Sequence, residues 1–135
     1  MAWNELEQAA RQLKAGAAGE ARIRFKALGD TLPATHPLYR HAIYGLGLSQ
    51  AASGLYREAL KTLEKATGTW PDHKMAPEAW REMALCEKAL NHPFRAVKAL
   101  KTLSGKYPNS AEAEWARRQL QNKDLQTARL LQKQR

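Results

Sequence analysis

The stretch from Tyr39 to Pro71, YRHAIYGLGLSQAASGLYREALKTLEKATGTWP, constrains this chain more than any other, because most of the rest repeats it. Ala42, Ile43, Leu46, Gly47 and Gln50 recur at helical spacing, Ser53-Gly54 interrupts, and Tyr56, Ala59, Leu60, Leu63 and Ala66 resume that spacing until Pro71. The unit therefore reads as two short helices and a tight turn, with Gly54 supplying the left-handed backbone that ends a helix cheaply. Moved back 38 residues, Gly54 falls on Gly16, Ala59 on Ala21, Leu63 on Phe25, Ala66 on Leu28 and Pro71 on Pro33. Moved forward 37, Gly54 falls on Asn91, Ile43 on Trp80, Leu46 on Met83, Gly47 on Ala84, Ala59 on Ala96, Leu63 on Leu100 and Pro71 on Pro108. Another 35 carry Trp80 to Trp115, which begins a half-repeat. Size and chemistry persist at positions that would touch a partner helix, and asparagine is the best substitute for glycine in the turn. A period of 35 to 38 residues of this kind predicts a helical solenoid.

At 135 residues the chain has one domain's worth of structure, enough for three stacked pairs and a cap. Leu, Ala, Lys, Arg, Glu and Gln dominate, which favours helix before any motif is sought. The spacing predicts helices over about 3–15, 19–32, 38–52, 55–68, 77–90 and 93–106, with Pro37, Pro77 and Pro93 in first turns where the missing N–H costs little. Ser110 with Glu114 predicts the cap of a further helix. In the second helix Ile23, Phe25 and Leu28 are expected inside, with Arg22, Arg24 and Lys26 in water. The helix over 38–52 has almost no charge after His41 and is expected to be the most buried element. The repeats fall at about 3–33, 39–71 and 77–108, followed by a half-repeat at 110–122. Leu125, Ala128, Leu130 and Leu131 give the basic stretch 123–135 a helical rhythm, so it reads as either a capping helix or a frayed end.

These residues resemble the tetratricopeptide repeat. The pattern is a bulky residue (Ile43, Trp80), a leucine-like then a small residue (Leu46-Gly47, Met83-Ala84), a turn glycine (Gly16, Gly54), a mid-helix alanine (Ala21, Ala59, Ala96), an aromatic or leucine (Phe25, Leu63, Leu100) and a terminal proline (Pro33, Pro71, Pro108). The first pair departs at its entry, where Glu5 stands in place of the bulky residue, and a solvent-capped outer face is expected there. More narrowly, KYPNSAEAEWARRQL from Lys106 and WPDHKMAPEAW from Trp70 resemble the slightly long repeats of bacterial cell-envelope proteins. Those are the C-terminal domain of the Tol-Pal coordinator protein and the repeat lipoproteins of outer-membrane assembly. The resemblance covers roughly residues 3–122. It implies an all-α, right-handed solenoid of helical hairpins, about three repeats with a C-terminal capping helix. It also implies a non-catalytic adaptor or scaffold that binds a peptide or partner helix on its concave face.

In that family the first helices of successive repeats line the concave side. Carried over position by position, the lining is Trp3, Leu6, Ala10 and Leu13 from the first repeat and His41, Tyr44, Leu48 and Ala51 from the second. The third contributes Glu78, Arg81, Leu85 and Lys88. Aromatic and aliphatic anchors with two cations at one end suit a peptide that carries an apolar anchor and a carboxylate. Leu48 and Leu85 read equally well as packing for the next repeat.

Charge is a second lead. The net charge is +9, and from Arg95 to Arg135 ten Lys or Arg face three Asp or Glu. Arg95, Lys98 and Lys101 share one helix face, and Arg117 and Arg118 follow. Such a surface attracts acidic protein, nucleic acid or an anionic membrane by its long-range field, or serves only as a solvated face. The tryptophans fall at packing positions rather than among the basic residues, so nucleic acid ranks below an acidic protein. Self-association through exposed repeat ends is a third outcome for a short solenoid.

Catalysis finds little footing. His36, His41, His73 and His92 lie mostly at junctions and turns without metal-ligand spacing, and are expected to be surface or capping residues. Cys86 is the lone cysteine, which excludes a disulfide-stapled domain, and Glu82 and Glu87 disfavour its thiolate. The glycines stand singly at turns and close helix contacts, with no phosphate-cradling loop, so neither cofactor nor metal is expected. MAWNELEQAARQLKAG has no apolar core of a signal peptide, and no run reaches the roughly 20 apolar residues that span a bilayer. As it stands the sequence reads as cytoplasmic; the envelope likeness points to the periplasm if a leader or N-terminal region is missing.

Overall fold

Three residues with left-handed backbone divide the chain into hairpins. Gly16 has φ +87°, Gly54 +81° and Asn91 +62°, and Asn91 is the one non-glycine residue of positive φ among those described. At each of the three the same two bonds close the preceding helix. The N–H of Gly16, Gly54 and Asn91 donates to the carbonyl of Leu13, Ala51 and Lys88 (3.2, 3.1 and 3.0 Å). The next N–H, of Ala17, Leu55 and His92, donates to the carbonyl of Gln12, Gln50 and Glu87 (2.8, 2.9 and 2.8 Å). These are Schellman caps, which satisfy carbonyls a helix end would otherwise leave bare.

The computed structural model describes residues 2–121. Over them run α1 Ala2–Lys14, α2 Ala18–Thr31, α3 Pro37–Ala52, α4 Tyr56–Thr69, α5 Ala76–Ala89, α6 Pro93–Lys106 and α7 Ala111–Gln119, with no strand among the described residues. The expected capping helix or tail at 123–135 lies outside the described residues. Helix starts follow from local chemistry. Pro37, Pro77 and Pro93 occupy first turns. His36 Nδ1 accepts from the Leu38 N–H (3.1 Å), and Ser110 Oγ accepts from the Ala113 N–H (3.0 Å). Glu112 and Glu114 stand in the first turn of α7, where the helix dipole favours them.

Each helix packs on the next, and beyond that α1 packs on α3, α3 on α5 and α5 on α7. The odd helices thus form one layer and the even helices the other. Leu6, Phe25 and Leu28 share a core with Ala42 of the second hairpin, and Tyr44, Leu48 and Leu63 share one with Ala79 and Met83 of the third. Each apolar centre is therefore common to two neighbouring hairpins, which is why a single hairpin could not bury its own face. As expected, α3 is deeply buried, through Ala42, Tyr44, Gly45, Gly47, Leu48, Ser49 and Ala51. Two glycines permit this: a Cβ on Gly45 would run into the Phe25 ring, and one on Gly47 into the Leu63 side chain.

Two features set the first hairpin apart from the others. Ile43 touches the preceding hairpin at Gly29, and Trp80 and Trp115 pack into the cores at the same repeat position. Their counterpart Glu5 instead pairs with Arg24 (3.1 Å), so the position that is apolar in the later hairpins carries charge here. Ile23, expected inside, is 64% exposed. It lies two residues from both Ala21 and Phe25, about 200° around the helix, and so faces away from the core they point into.

Candidate functional site

On the odd-helix layer, α1, α3 and the start of α5 enclose a recess of about 430 Å3. Leu13, Phe25, Leu48 and Met75 give it an apolar floor, and Glu7, Ala10, Arg11, Lys14, His41 and Glu78 form its rim. The spacing of Glu7, Ala10 and Lys14 puts them on one stripe of α1, and Trp3, 58% exposed, extends that stripe toward the N-terminus. His41 and Leu48, seven residues apart, face the recess from α3.

Met75 arrives from outside any helix. The linker that follows α4 folds across α3, where the Tyr44 hydroxyl donates to the Trp70 carbonyl (2.8 Å), with the Ala66 carbonyl at 3.2 Å. The His73 ring stacks on Tyr44 at 4.8 Å between centroids and meets His41 edge-on at 5.4 Å. His73 Nδ1 then accepts from the Met75 N–H (3.1 Å), repeating the cap made by His36 at the previous junction. Trp70 is itself gripped by Tyr39, edge-on at 5.8 Å, and by the Arg40 guanidinium 5.9 Å from its ring centre.

Burial holds the imidazoles of His41 and His73 below their ordinary range. Lys74 adds to this at both, His73 at His41, and Arg40 at His73. Glu78 is pushed above the usual carboxylate range, first by burial and then by Glu82 and Glu112, with Arg81 and Lys14 opposing.

Of the residues expected to line a groove, Ala10, Leu13, His41, Leu48 and Glu78 meet at this recess. Tyr44 does not: it is fully buried, because the 70–75 linker covers it. Leu6 is buried beside Ala9, Phe25 and Leu28, on the side of α1 that packs against α2, and Ala51 lies in the core with Ala59 and Cys86. Arg81 is one-third exposed but is not a free cation. Its guanidinium lies 3.5 Å from Glu82, 3.7 Å from Glu78 and 3.9 Å from Glu112. The expected cationic end of the groove is therefore acidic at Arg81. Leu85, 41% exposed, and Lys88, also exposed, stand seven and ten residues beyond Glu78, about 10–15 Å farther along α5.

The stripe through Ala10 could have revealed Glu7 and Lys14 from helical spacing. Met75 carried no such signal, because its place depends on the path of the linker. Among the basic residues, Arg95, Lys98 and Lys101 line one recess on α6. Arg117 and Arg118 are exposed on α7, with Arg117 donating to the Pro108 carbonyl (3.3 Å). Cys86 is buried, and burial, followed by Glu82 and Glu87, pushes its thiol up to about 12. Among the described residues no three His, Cys, Asp or Glu could hold a metal ion together, and no helix is long and apolar enough to cross a membrane.

Residues 41–73 and 78–110 each match the family model of the tetratricopeptide repeat. Two hairpins of this chain therefore match the tetratricopeptide repeat. The two matched repeats begin within α3 and α5; the α1/α2 hairpin lies outside both but shares their left-handed turn and mid-helix alanine. Solved structures of the same fold include PcrH in complex with the chaperone binding region of PopB, at 20% identity and a TM-score of 0.71, covering 85% of this chain and 90% of that one. A T3SS complex from Aeromonas hydrophila gives 18% identity and a TM-score of 0.77, over 95% and 82%. The nearly identical TPR-like repeats assigned to a kinesin light chain of Podosopora anserina give 19% and 0.67, over 87% and 62%. The search of curated protein sequences gave no match.

Proposed function

We propose that this chain is a non-catalytic interaction module whose inner recess receives an apolar side chain of a partner polypeptide. The observation that carries this is the floor of Leu13, Phe25, Leu48 and Met75, open on the layer that tetratricopeptide repeats turn inward and rimmed by groups of both charges. An apolar pocket supplies affinity by burial, while Lys14, Arg11, His41 and Glu78 around it orient whatever enters. The likeness to PcrH, whose structure holds a segment of another protein, supports a polypeptide as the occupant. The environment of Arg81 changes the chemistry of the partner. With three carboxylates around one guanidinium, that end of the groove suits a cationic or neutral residue rather than a partner's carboxylate.

Ala10 offers a test without disturbing the core, since it is exposed at the mouth of the recess. A photo-crosslinking residue at Ala10 should trap a partner segment in cells of the source organism, whereas the same residue at Lys26, exposed on α2, should not. Ala10→Arg should weaken capture of that partner while leaving the helical circular dichroism unchanged. Equal trapping from both sites would refute the reading.

A further inference from the structure

We propose that the outer face of α6 is a second docking surface, one that takes an acidic protein segment carrying an apolar side chain. The helix PFRAVKALKTLSGK contains no Asp or Glu. Arg95, Lys98 and Lys101, three residues apart in turn and all exposed, line an open recess of about 530 Å3 together with Phe94 and Val97. None of the three cations is ion-paired with another described residue. A neighbouring recess of about 290 Å3 shares Arg95 and Lys98 and runs on past Glu87 of α5 to Leu60 and Glu64 of α4. The two form one furrow across the even-helix layer, on the other side of the molecule from the inner recess.

The chemistry of the furrow selects its occupant. Three like charges within about 9 Å of helix repel one another, and an arriving carboxylate relieves that repulsion. Charge of this kind brings a partner in and sets its register; the apolar floor between the cations supplies burial that charge alone does not. A nucleic-acid backbone would satisfy the cations but take no apolar area of that floor out of water. Glu64 of α4 and Glu87 of α5, the latter paired with His92 at 3.0 Å, give the furrow a direction, so the acidic residues of the segment lie over α6 and stop short of both.

Selection of a random dodecapeptide library on the intact chain tests this. The recovered peptides should be enriched in Asp and Glu with a spaced apolar residue. The enrichment should vanish on the combined Arg95→Glu, Lys98→Glu and Lys101→Glu variant and persist on Ala10→Arg, which alters only the inner recess. Lys98→Gln, a milder change, should weaken the recovered peptides by about threefold to tenfold. No acidic enrichment, or enrichment that survives charge reversal, would overturn the proposal. So would a single-stranded oligonucleotide binding α6 as tightly as the peptides, because the surface would then be a general polyanion site.

Discussion

Gly45 and Gly47 let α3 sit between its neighbours, each for a separate contact. Gly45 faces the Phe25 ring from the preceding hairpin, and Gly47 faces Leu63 from its own. Either Gly→Ala change should therefore destabilise the fold by about 1–3 kcal/mol through overpacking, despite alanine's better helix propensity. At Gly68 in α4 an added Cβ would meet nothing within 4 Å, so Gly68→Ala should stabilise by about 0.4–1 kcal/mol. Urea midpoints of the three variants would check this; equal effects at all three positions would mean that close approach is not the reason. Sequence spacing pointed to Gly47, because the repeat pattern demands a small residue there. Gly45 was invisible to it, since Phe25 approaches from another repeat. Ile23 and Tyr44 show the same limit in opposite directions. The first follows from helix geometry once Phe25 is fixed as core, whereas the second needed the covering linker to be seen.

At the scale of elements, the linker between α4 and α5 does most to shape the recess, since it carries Met75 into it and seals Tyr44. Its fold requires His73 Nδ1 to accept a hydrogen bond from the Met75 N–H rather than carry a proton of its own. His41 stands edge-on to His73, Lys74 and Arg40 add positive charge, and Arg11, Lys14, Glu7 and Glu78 share the adjoining recess. Both imidazoles have folded values below 6.5, so the unfolded chain binds protons first as pH falls. Their contribution to stability is complete above 6.5 and is lost as pH drops through 6.5 toward the folded values. Glu78, raised above 4.5, acts with the opposite sign just above that value. Denaturation midpoints should therefore decline from about pH 7.5 to about 5.5. His73→Asn, whose Oδ1 can replace Nδ1 as acceptor without titrating, should reduce that slope. An unchanged slope would remove His73 as a contributor.

On the scale of the whole molecule, the outer face of the first hairpin carries charge where the later hairpins carry apolar residues. Ile43, Trp80 and Trp115 occupy the position at which one hairpin meets the one before it, and Glu5 with Arg24 occupies it in the first described hairpin. Glu5→Ile should restore the interior pattern beside the already exposed Ile23, and sedimentation should then show association that grows with concentration. A variant that stays at the parent's mass at every concentration would show that the Glu5–Arg24 pair does not guard this face. The sequence by itself determined the hairpin unit, its period, the left-handed turns at Gly16, Gly54 and Asn91, and nearly every helix boundary. Those depend on spacing and on the backbone preferences of single residues, which are local. Only the tertiary structure decided which side chains reach the inner recess, that carboxylates surround Arg81, and that Tyr44 is core. Those outcomes depend on how a linker and a neighbouring hairpin lie across the helix, and no periodicity within one helix encodes what will cover it.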